Sequence, residues 1–229
     1  MAVETTPTEA TKKIKGISLR LIVVILSFLL ALGAFYIVTD EAVLENETWF
    51  DTLVFQKISP LTSPAVTRVM TAITFFGSSY FLLPAYIILT AYYLFFKRNT
   101  RLSLNVSAVG LTSAGILPVM KSIFKRRRPL YPLIKNVDGF SFPSGHTFSA
   151  FTFFGLLIYI VWQTKISTLA KWVASIIFFL FACSIAFSRV YLHVHFATDA
   201  IAAFCLSLIW LTISLFVLNK INYKSNRRS

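Results

Sequence analysis

Two histidines and an aspartate have the spacing of a nucleophile, its orienting partner and a proton donor. His195 and Asp199 stand four positions apart in "SRVYLHVHFATD", residues 188–199, so they share one face if a helix runs through both. A carboxylate there would hold one imidazole nitrogen and leave the other free to attack, giving a phosphohistidine intermediate. His146, which ends "PSGH", would serve as general acid and then as base.

Cations and a helix start accompany these residues. Three basic side chains could fix the equatorial oxygens of a phosphoryl group: Lys121, Arg128 and Arg189. Ser144 and Gly145 open an apolar segment, where the unpaired N–H groups and the dipole of a helix start attract an anion. The set predicts a phosphate pocket built without a metal ion or other cofactor. Cys183 and Cys205 lie in apolar runs and are interpreted as small buried side chains, not as metal ligands or a disulfide.

The composition predicts that these residues are positioned by a membrane protein. Of 229 residues, 56% are hydrophobic and 14% are charged, whereas a soluble domain carries about 25% charged residues. The mean hydropathy is +0.72. The net charge of +13 could indicate nucleic acid, but half of the chain would lie in lipid. The predicted partner is therefore the membrane and a lipid phosphate, and not a nucleic acid.

Six apolar segments are long enough to cross a bilayer as helices, which takes about 20 residues each. They run over residues 17–38, 78–96, 103–124, 146–164, 168–187 and 196–219. The predicted fold is an all-α membrane protein with six transmembrane helices, forming one domain over residues 17–219. Residues 40–77 are predicted to form short interfacial helices, broken at Pro60 and Pro64. The first segment is predicted to remain as an anchor.

The distribution of basic residues predicts the orientation, because basic loops favour the cytoplasm. Six crossings place four basic regions on one side: the tail at 1–16, residues 97–101, residues 165–171 and the tail at 220–229. Both termini are therefore predicted to be cytoplasmic, and the acidic stretch at 40–51 to lie outside. The residues with chemistry then fall on the outer, extracytoplasmic face of a multi-pass cell-membrane protein.

Three motifs in this order resemble the signature of the type-2 phosphatidic acid phosphatase superfamily. They are Lys-x6-Arg-Pro from Lys121, Pro-Ser-Gly-His from Pro143, and Ser-Arg-x5-His-x3-Asp from Ser188. The resemblance implies an integral-membrane lipid phosphate phosphatase, and it assigns the nucleophile and acid–base roles to the matching histidines. The chain departs from the usual pattern of the family at two positions, His193, where Gly is frequent, and Ala197, where Pro is frequent.

The leading prediction is hydrolysis of a lipid phosphate or diphosphate, of the undecaprenyl diphosphate, phosphatidylglycerophosphate or phosphatidic acid type. The alternatives are a lipid phosphotransferase and a non-catalytic lipid-binding or transport relative. A transporter would carry charged or broken helices at the midplane, whereas these apolar cores are interrupted only by Pro84 and Pro118. A non-catalytic relative is expected to have lost His195 or Asp199. Haloperoxidases of the vanadium type share the pocket, but the recognised members are soluble.

Four residues near the motifs are assigned roles outside catalysis. Lys125, Arg126 and Arg127 are not motif positions, and they are interpreted as contacts to anionic lipid head groups, with a second phosphate as the alternative. His193 is predicted to have a structural or rim role in preference to catalysis.

Overall fold

A computed structural model of the chain describes residues 9–46, 48–135 and 137–226. These residues are mostly helical and include no strand. The α-helices are α1 (Glu9–Thr39), α2 (Trp49–Ile58), α3 (Pro64–Phe75), α4 (Ser79–Ala91), α5 (Thr100–Phe124), α6 (Gly145–Trp162), α7 (Thr168–Tyr191) and α8 (Ala197–Asn226). Parts of the predicted tails, at 1–8 and 227–229, lie outside the described residues, as does Glu47 of the acidic stretch.

Six helical segments are long and apolar enough to cross a membrane, which confirms the predicted fold class. They are Leu21–Leu44, Pro64–Phe96, Thr100–Phe124, Gly145–Trp162, Thr168–Tyr191 and Ala197–Ile221. Their outer surfaces carry many exposed Leu, Ile, Val and Phe side chains. Apolar side chains on the outside of an apolar helix are stable when lipid, not water, surrounds them.

The segment between the first and second spans contains short helices, while their position at the membrane interface stays a prediction. Pro60 lies in a short 3₁₀ turn at Ser59–Leu61, and Pro64 is the first residue of α3, where a missing N–H costs no hydrogen bond. The second apolar segment begins at Pro64 instead of 78. The reason is that α3 is itself apolar, and a tight turn at residues 76–78 joins it to α4.

Helix α6 forms the centre of the bundle and packs mainly against α7 and α8. Its phenylalanines contact the neighbouring helices edge to face: Phe151 meets Phe204 of α8 with ring centroids 4.6 Å apart, and Phe154 meets Phe181 of α7 at 5.2 Å. A helix that is apolar on all sides is stable only when other apolar groups surround it. Its N-terminus is fixed at the end of the bundle where α7 ends and α8 begins.

The loop between α5 and α6 crosses this end of the bundle. It starts at Lys125, whose left-handed backbone (φ 47°) ends α5. The N–H of Ser141 donates to the carbonyl of Arg126 at 2.8 Å, which closes the loop on itself. The N–H of Leu133 donates to the carbonyl of Leu192 at 3.0 Å and ties the loop to the α7–α8 turn.

Candidate active site

The three motifs meet at this end of the bundle. Lys121 lies on the last turn of α5, Arg189 on the last turn of α7, and Asp199 in the first turn of α8. The structure brings together every predicted site residue: Lys121, Arg128, Ser144, Gly145, His146, Arg189, His195 and Asp199. Residues far apart in the chain thus surround one small volume.

His195 and Asp199 face each other across the start of α8. The helix begins at Ala197, so the pair does not share a helical face. Instead, Asp199 folds back toward the chain that enters the helix, and its Oδ2 lies 3.3 Å from His195 Nδ1. Both side chains are buried, His195 at 1% and Asp199 at 0% exposure. The contact therefore arises from the geometry of a helix start and not from helical periodicity.

Several groups hold the Asp199 carboxylate. Its Oδ2 accepts the N–H of Phe196 at 2.9 Å and the hydroxyl of Ser141. Because Phe196 is the residue before α8, this bond is the backward half of a capping box. Its other oxygen, Oδ1, accepts Arg126 Nη1 at 2.6 Å. Asp199 thus caps its own helix and orients His195 at the same time.

These contacts define which nitrogen of His195 is free. A carboxylate only accepts hydrogen bonds, so Nδ1, which faces Asp199, carries the proton. The unprotonated Nε2 lies 3.3 Å from Arg128 Nη1. Burial lowers the pKa of His195 to about 4, although Asp199 opposes this shift. The imidazole is therefore neutral at pH 7, with the Nε2 lone pair directed at a cation.

Arg128 is fixed by backbone carbonyls. Its Nε donates to Gly139 at 3.0 Å, Nη2 to Asp138 at 3.0 Å, and Nη1 to Val194 at 2.8 Å. Burial lowers the pKa of Arg128, and the carboxylates of Asp199 and Asp138 oppose that shift. The guanidinium stays charged at neutral pH. The loop therefore holds a cation beside His195 Nε2 before any ligand arrives.

Two more cations complete this side of the site. Lys121 Nζ donates to the carbonyl of Phe140. Arg189 is 5% exposed, and its Nη1 donates to Thr74 Oγ1 at 2.9 Å, while its buried Nε has no hydrogen-bond partner. No carboxylate of the described residues forms an ion pair with it. A buried guanidinium is costly without an anion, so this arrangement fits an anionic ligand.

The start of α6 supplies the remaining predicted residues. His146 is half-buried in its first turn, within electrostatic range of His195 and the three cations. The N–H of Ser144 donates to the carbonyl of Asp199 at 3.2 Å, and its hydroxyl lies 2.9 Å from that of Thr147. A Cβ at Gly145 would contact only Leu117, at 3.8 Å. The protein thus leaves this helix start open to an approaching group.

Sequence reasoning missed Asp51 and Ser141 and misjudged Arg126. The prediction that Arg126 contacts lipid head groups is wrong, because its side chain is buried between Asp51 and Asp199. Lys125 and Arg127 are exposed, so contact with lipid head groups stays a prediction for these two residues. One signal was available for Asp51, a single carboxylate inside the mostly apolar run "WFDTLVF". No sequence pattern distinguishes Ser141.

His193 lies beside the site in a turn. Its backbone is left-handed (φ 54°), a conformation that glycine adopts most easily. Its ring packs on Phe55 with centroids 4.8 Å apart. Burial lowers the pKa of His193, and its Nε2 has no hydrogen-bond partner. The backbone conformation gives a physical reason for the frequent glycine of the resemblance.

Potential metal ligands are sparse in the part of the chain that the structure describes. No three His, Cys, Asp or Glu side chains cluster there as the ligands of an ion would. Cys183 and Cys205 are free thiols; Cys205 is buried as predicted, whereas Cys183 is partly exposed. The positive charges that surround the His195–Asp199 pair come from Lys121, Arg126, Arg128 and Arg189.

The comparison with known families assigns the class. The sequence model of the PAP2 superfamily matches residues 102–223, more than half of the chain and all three motifs. The chain belongs to the PAP2 superfamily and is a membrane-embedded, multi-pass lipid phosphatase of that type.

Individual relatives agree with this assignment. Phosphatidylglycerophosphatase B of Bacillus subtilis (strain 168) is 36% identical over 147 residues, which is 64% of this chain and 72% of the relative. The crystal structure of the transmembrane PAP2 type phosphatidylglycerolphosphate phosphatase from Bacillus subtilis matches with a TM-score of 0.72 and 29% identity, covering 88% of this chain and 96% of that one. LpxE from Aquifex aeolicus matches with a TM-score of 0.53 and 27% identity, covering 72% and 93%.

Proposed function

We propose that the protein hydrolyses the phosphate or diphosphate of a membrane lipid through a phosphohistidine on His195. The observation that carries this proposal is that the two ring nitrogens of His195 have different partners. Nδ1 is held by Asp199, while Nε2 lies 3.3 Å from the Arg128 guanidinium. A phosphoryl oxygen bound to Arg128 would bring its phosphorus close to the nitrogen lone pair.

The first step is attack of His195 Nε2 on phosphorus. The N–P bond forms and the bond from phosphorus to the leaving oxygen breaks. His146, whose protonated form is favoured by the negative charge of the bound phosphate, gives its proton to that oxygen, while Asp199 stabilises the positive charge that grows on the His195 ring. Three cations, Lys121, Arg128 and Arg189, stabilise the charge on the equatorial oxygens.

The second step returns the enzyme to its starting state. His146, now neutral, accepts a proton from water, and the water oxygen attacks phosphorus. The N–P bond breaks, and its electron pair returns to His195 Nε2. Inorganic phosphate leaves from a monophosphate or from a diphosphate, and His146 is again protonated. The same histidine thus acts as acid and then as base.

The comparisons favour phosphatidylglycerophosphate as the first substrate to test, because the matching sequence and the matching crystal structure from Bacillus subtilis are both named for hydrolysing it. Undecaprenyl diphosphate and phosphatidic acid are the comparison substrates.

The proposed site lies on the outer face and both termini are cytoplasmic, since the loops at 97–101 and 165–171 are basic and the stretch at 40–51 is acidic.

Trapping the intermediate tests the proposal. Substrate labelled in the phosphate is mixed with enzyme and quenched in alkali, where phosphohistidine survives and phosphoserine is lost. We expect label on wild type and none on His195→Ala. In water enriched in ¹⁸O, released phosphate should carry one new ¹⁸O. Phosphate without ¹⁸O, or phosphoryl transfer to an added alcohol as the main product, would contradict hydrolysis.

A further inference from the structure

Arg126 and Asp51 form a buried ion pair directly behind Asp199. Arg126 Nη2 lies 2.9 Å from Asp51 Oδ2, and Nη1 lies 2.6 Å from Asp199 Oδ1. The exposures are 8% for Arg126, 2% for Asp51 and 0% for Asp199. Arg126 is two positions from Arg128 in the chain, yet it binds the carboxylates and not the side of the site where His195 Nε2 lies. Its role therefore differs from that of the substrate-facing cations.

Asp51 connects α2 to the start of α8. Its Oδ1 accepts the N–H of Thr198 at 2.9 Å, and its Oδ2 accepts the Thr198 hydroxyl at 2.6 Å. The residue before α8 is Phe196, whose side chain has no acceptor for these N–H groups. Asp199 caps the N–H of Phe196, and Asp51 provides, from another helix, the acceptor for the N–H of Thr198 that the Phe196 side chain lacks.

The two oxygens of Asp199 have separate tasks. Oδ1 binds Arg126, while Oδ2 faces His195 Nδ1, the hydroxyl of Ser141 and the N–H of Phe196. Arg126 also lies over the Phe196 ring, with Cζ 4.2 Å from the centroid. Rotation of the Asp199 carboxylate away from this orientation would break the Arg126 contact, so Arg126 helps to fix the plane in which the carboxylate meets His195.

We infer that Asp51 and Arg126 are positioning residues for the phosphoryl-transfer reaction, which makes α2 a necessary part of the active site. This inference rests on the proposed nucleophilic role of His195. Asp51 holds Arg126 and the start of α8, and Arg126 holds Asp199 in the orientation that His195 requires. The Arg126 guanidinium lies between the two carboxylates and offsets the repulsion between them.

Substitutions that keep shape but change charge test this role. In Arg126→Met, kcat should fall roughly 10- to 100-fold, the usual effect of losing a group that orients a ligand or nucleophile. KM should change by less than about threefold, because Lys121, Arg128 and Arg189 are untouched. Asp51→Asn should lower kcat about tenfold, and Arg126→Lys should fall between wild type and Arg126→Met. The matched control is Arg127→Met at the exposed neighbour, for which kcat should match wild type.

The dependence of kcat/KM on pH distinguishes a positioning role from a loss of correctly folded protein. The charges that act on His195 come from Asp199, Arg189 and Arg128. Without Arg126, the negative charge of Asp199 acts more strongly on His195 and raises its pKa. The acid limb of kcat/KM should therefore move to higher pH in Arg126→Met. In Asp51→Asn it should move to lower pH, because Arg126 then offsets the charge of Asp199 more strongly. Damage to folding alone would reduce the number of active sites, counted from the phosphohistidine burst, without moving this limb.

Each outcome decides the inference. The inference is overturned if folded Arg126→Met and Asp51→Asn have the kcat and the acid limb of kcat/KM of wild type. It is also overturned if a smaller number of active sites explains the whole loss of activity. If Arg126→Met fails to fold, the same readings on Asp51→Asn and Arg126→Lys decide. His195→Ala is measured in parallel. Turnover by that variant would refute the proposal that His195 is the nucleophile. If His195→Ala is inactive while the Arg126 and Asp51 variants behave like wild type, only the positioning role is refuted.

Discussion

Gly77, in the turn between α3 and α4, lies directly against His146 at the start of α6. A Cβ at position 77 would come within 3.1 Å of the His146 carbonyl oxygen and 3.2 Å of its Cβ, and within 2.6 Å of Ile185 Cγ2. A contact this close accepts only a residue without a side chain. The α3–α4 turn therefore sets the position of the proposed acid–base residue.

Gly77→Ala should displace His146 and slow the reaction. A shift of about 1 Å in a reacting group costs up to roughly 100-fold in rate, so we expect kcat to fall at least about tenfold. Overpacking should also lower the free energy of unfolding by about 1–3 kcal/mol. The control is Gly33→Ala, since a Cβ there meets nothing within 4 Å. Normal kcat in folded Gly77→Ala would show that His146 needs no such support.

The His195–Asp199 pair gives a graded prediction. His195→Ala removes the nucleophile and should reduce turnover to background. Asp199→Asn keeps the shape but loses the charge and the correct tautomer, so kcat should fall by about 10³- to 10⁴-fold. His193→Ala, which changes the neighbouring histidine, should keep most activity. Steady-state phosphate release on one lipid substrate measures all three, and an inactive His193→Ala beside an active His195→Ala would reverse the assignment.

Local patterns in the sequence were sufficient for the helices and the motifs. Apolar runs of membrane length predicted the six spans, and the basic and histidine-containing motifs predicted which residues meet. The His195–Asp199 contact was predicted for an incorrect reason, because the chain turns at residues 192–196 and α8 begins only at Ala197. A four-residue spacing cannot distinguish one helical face from a carboxylate that reaches back over a helix start.

The support behind Asp199 could not be predicted from the sequence. Asp51 is 75 positions from Arg126 and 147 from Thr198. Contacts over such distances depend on how α2 packs against α8, and no periodicity records that. Arg126 illustrates the difficulty further. It is one of four consecutive basic residues, and only the left-handed turn at Lys125 and the loop after it determine which of the four is buried.

The low pKa of His195 predicts how it behaves with pH. Burial lowers its pKa to about 4, while a histidine in an unfolded chain titrates near 6.5. Spectra of ¹⁵N-histidine should therefore show a neutral ring with a protonated Nδ1 down to about pH 5. The His195 signals are identified by their loss in His195→Ala, and the denatured protein is the control. Titration near pH 6.5 in the folded protein would contradict the buried, neutral nucleophile.

The same shift has a consequence for stability. Above about pH 6.5, both the folded and unfolded states hold a neutral His195, so this residue adds no pH dependence. Between about pH 6.5 and 4, the unfolded state binds the proton and the folded state does not. The free energy of unfolding should therefore fall as the pH falls through this window, by up to roughly 3 kcal/mol. The midpoint of unfolding should depend less on pH in His195→Ala.

Hydrolysis should continue in excess chelator. Lys121, Arg128 and Arg189 occupy the role that metal ions have in two-metal phosphoryl enzymes, where carboxylates bind ions about 4 Å apart. A monodisperse short-chain substrate is used, so that magnesium cannot act through lipid dispersion. Vanadate should inhibit competitively, since it adopts the five-coordinate geometry of the transition state. Complete loss of activity in chelator, restored only by magnesium or zinc, would refute the metal-free mechanism.

The orientation in the membrane can be tested on two exposed loops. Asp138 lies in the loop that carries Arg128, and Lys165 lies in the loop between α6 and α7. With Cys183 and Cys205 replaced by alanine, Asp138→Cys in intact cells should react with a membrane-impermeant thiol reagent. Lys165→Cys should react only after the membrane is opened, because its loop is basic and is expected to be cytoplasmic. Labelling in the reverse pattern would place the site, and the release of its product, on the cytoplasmic face.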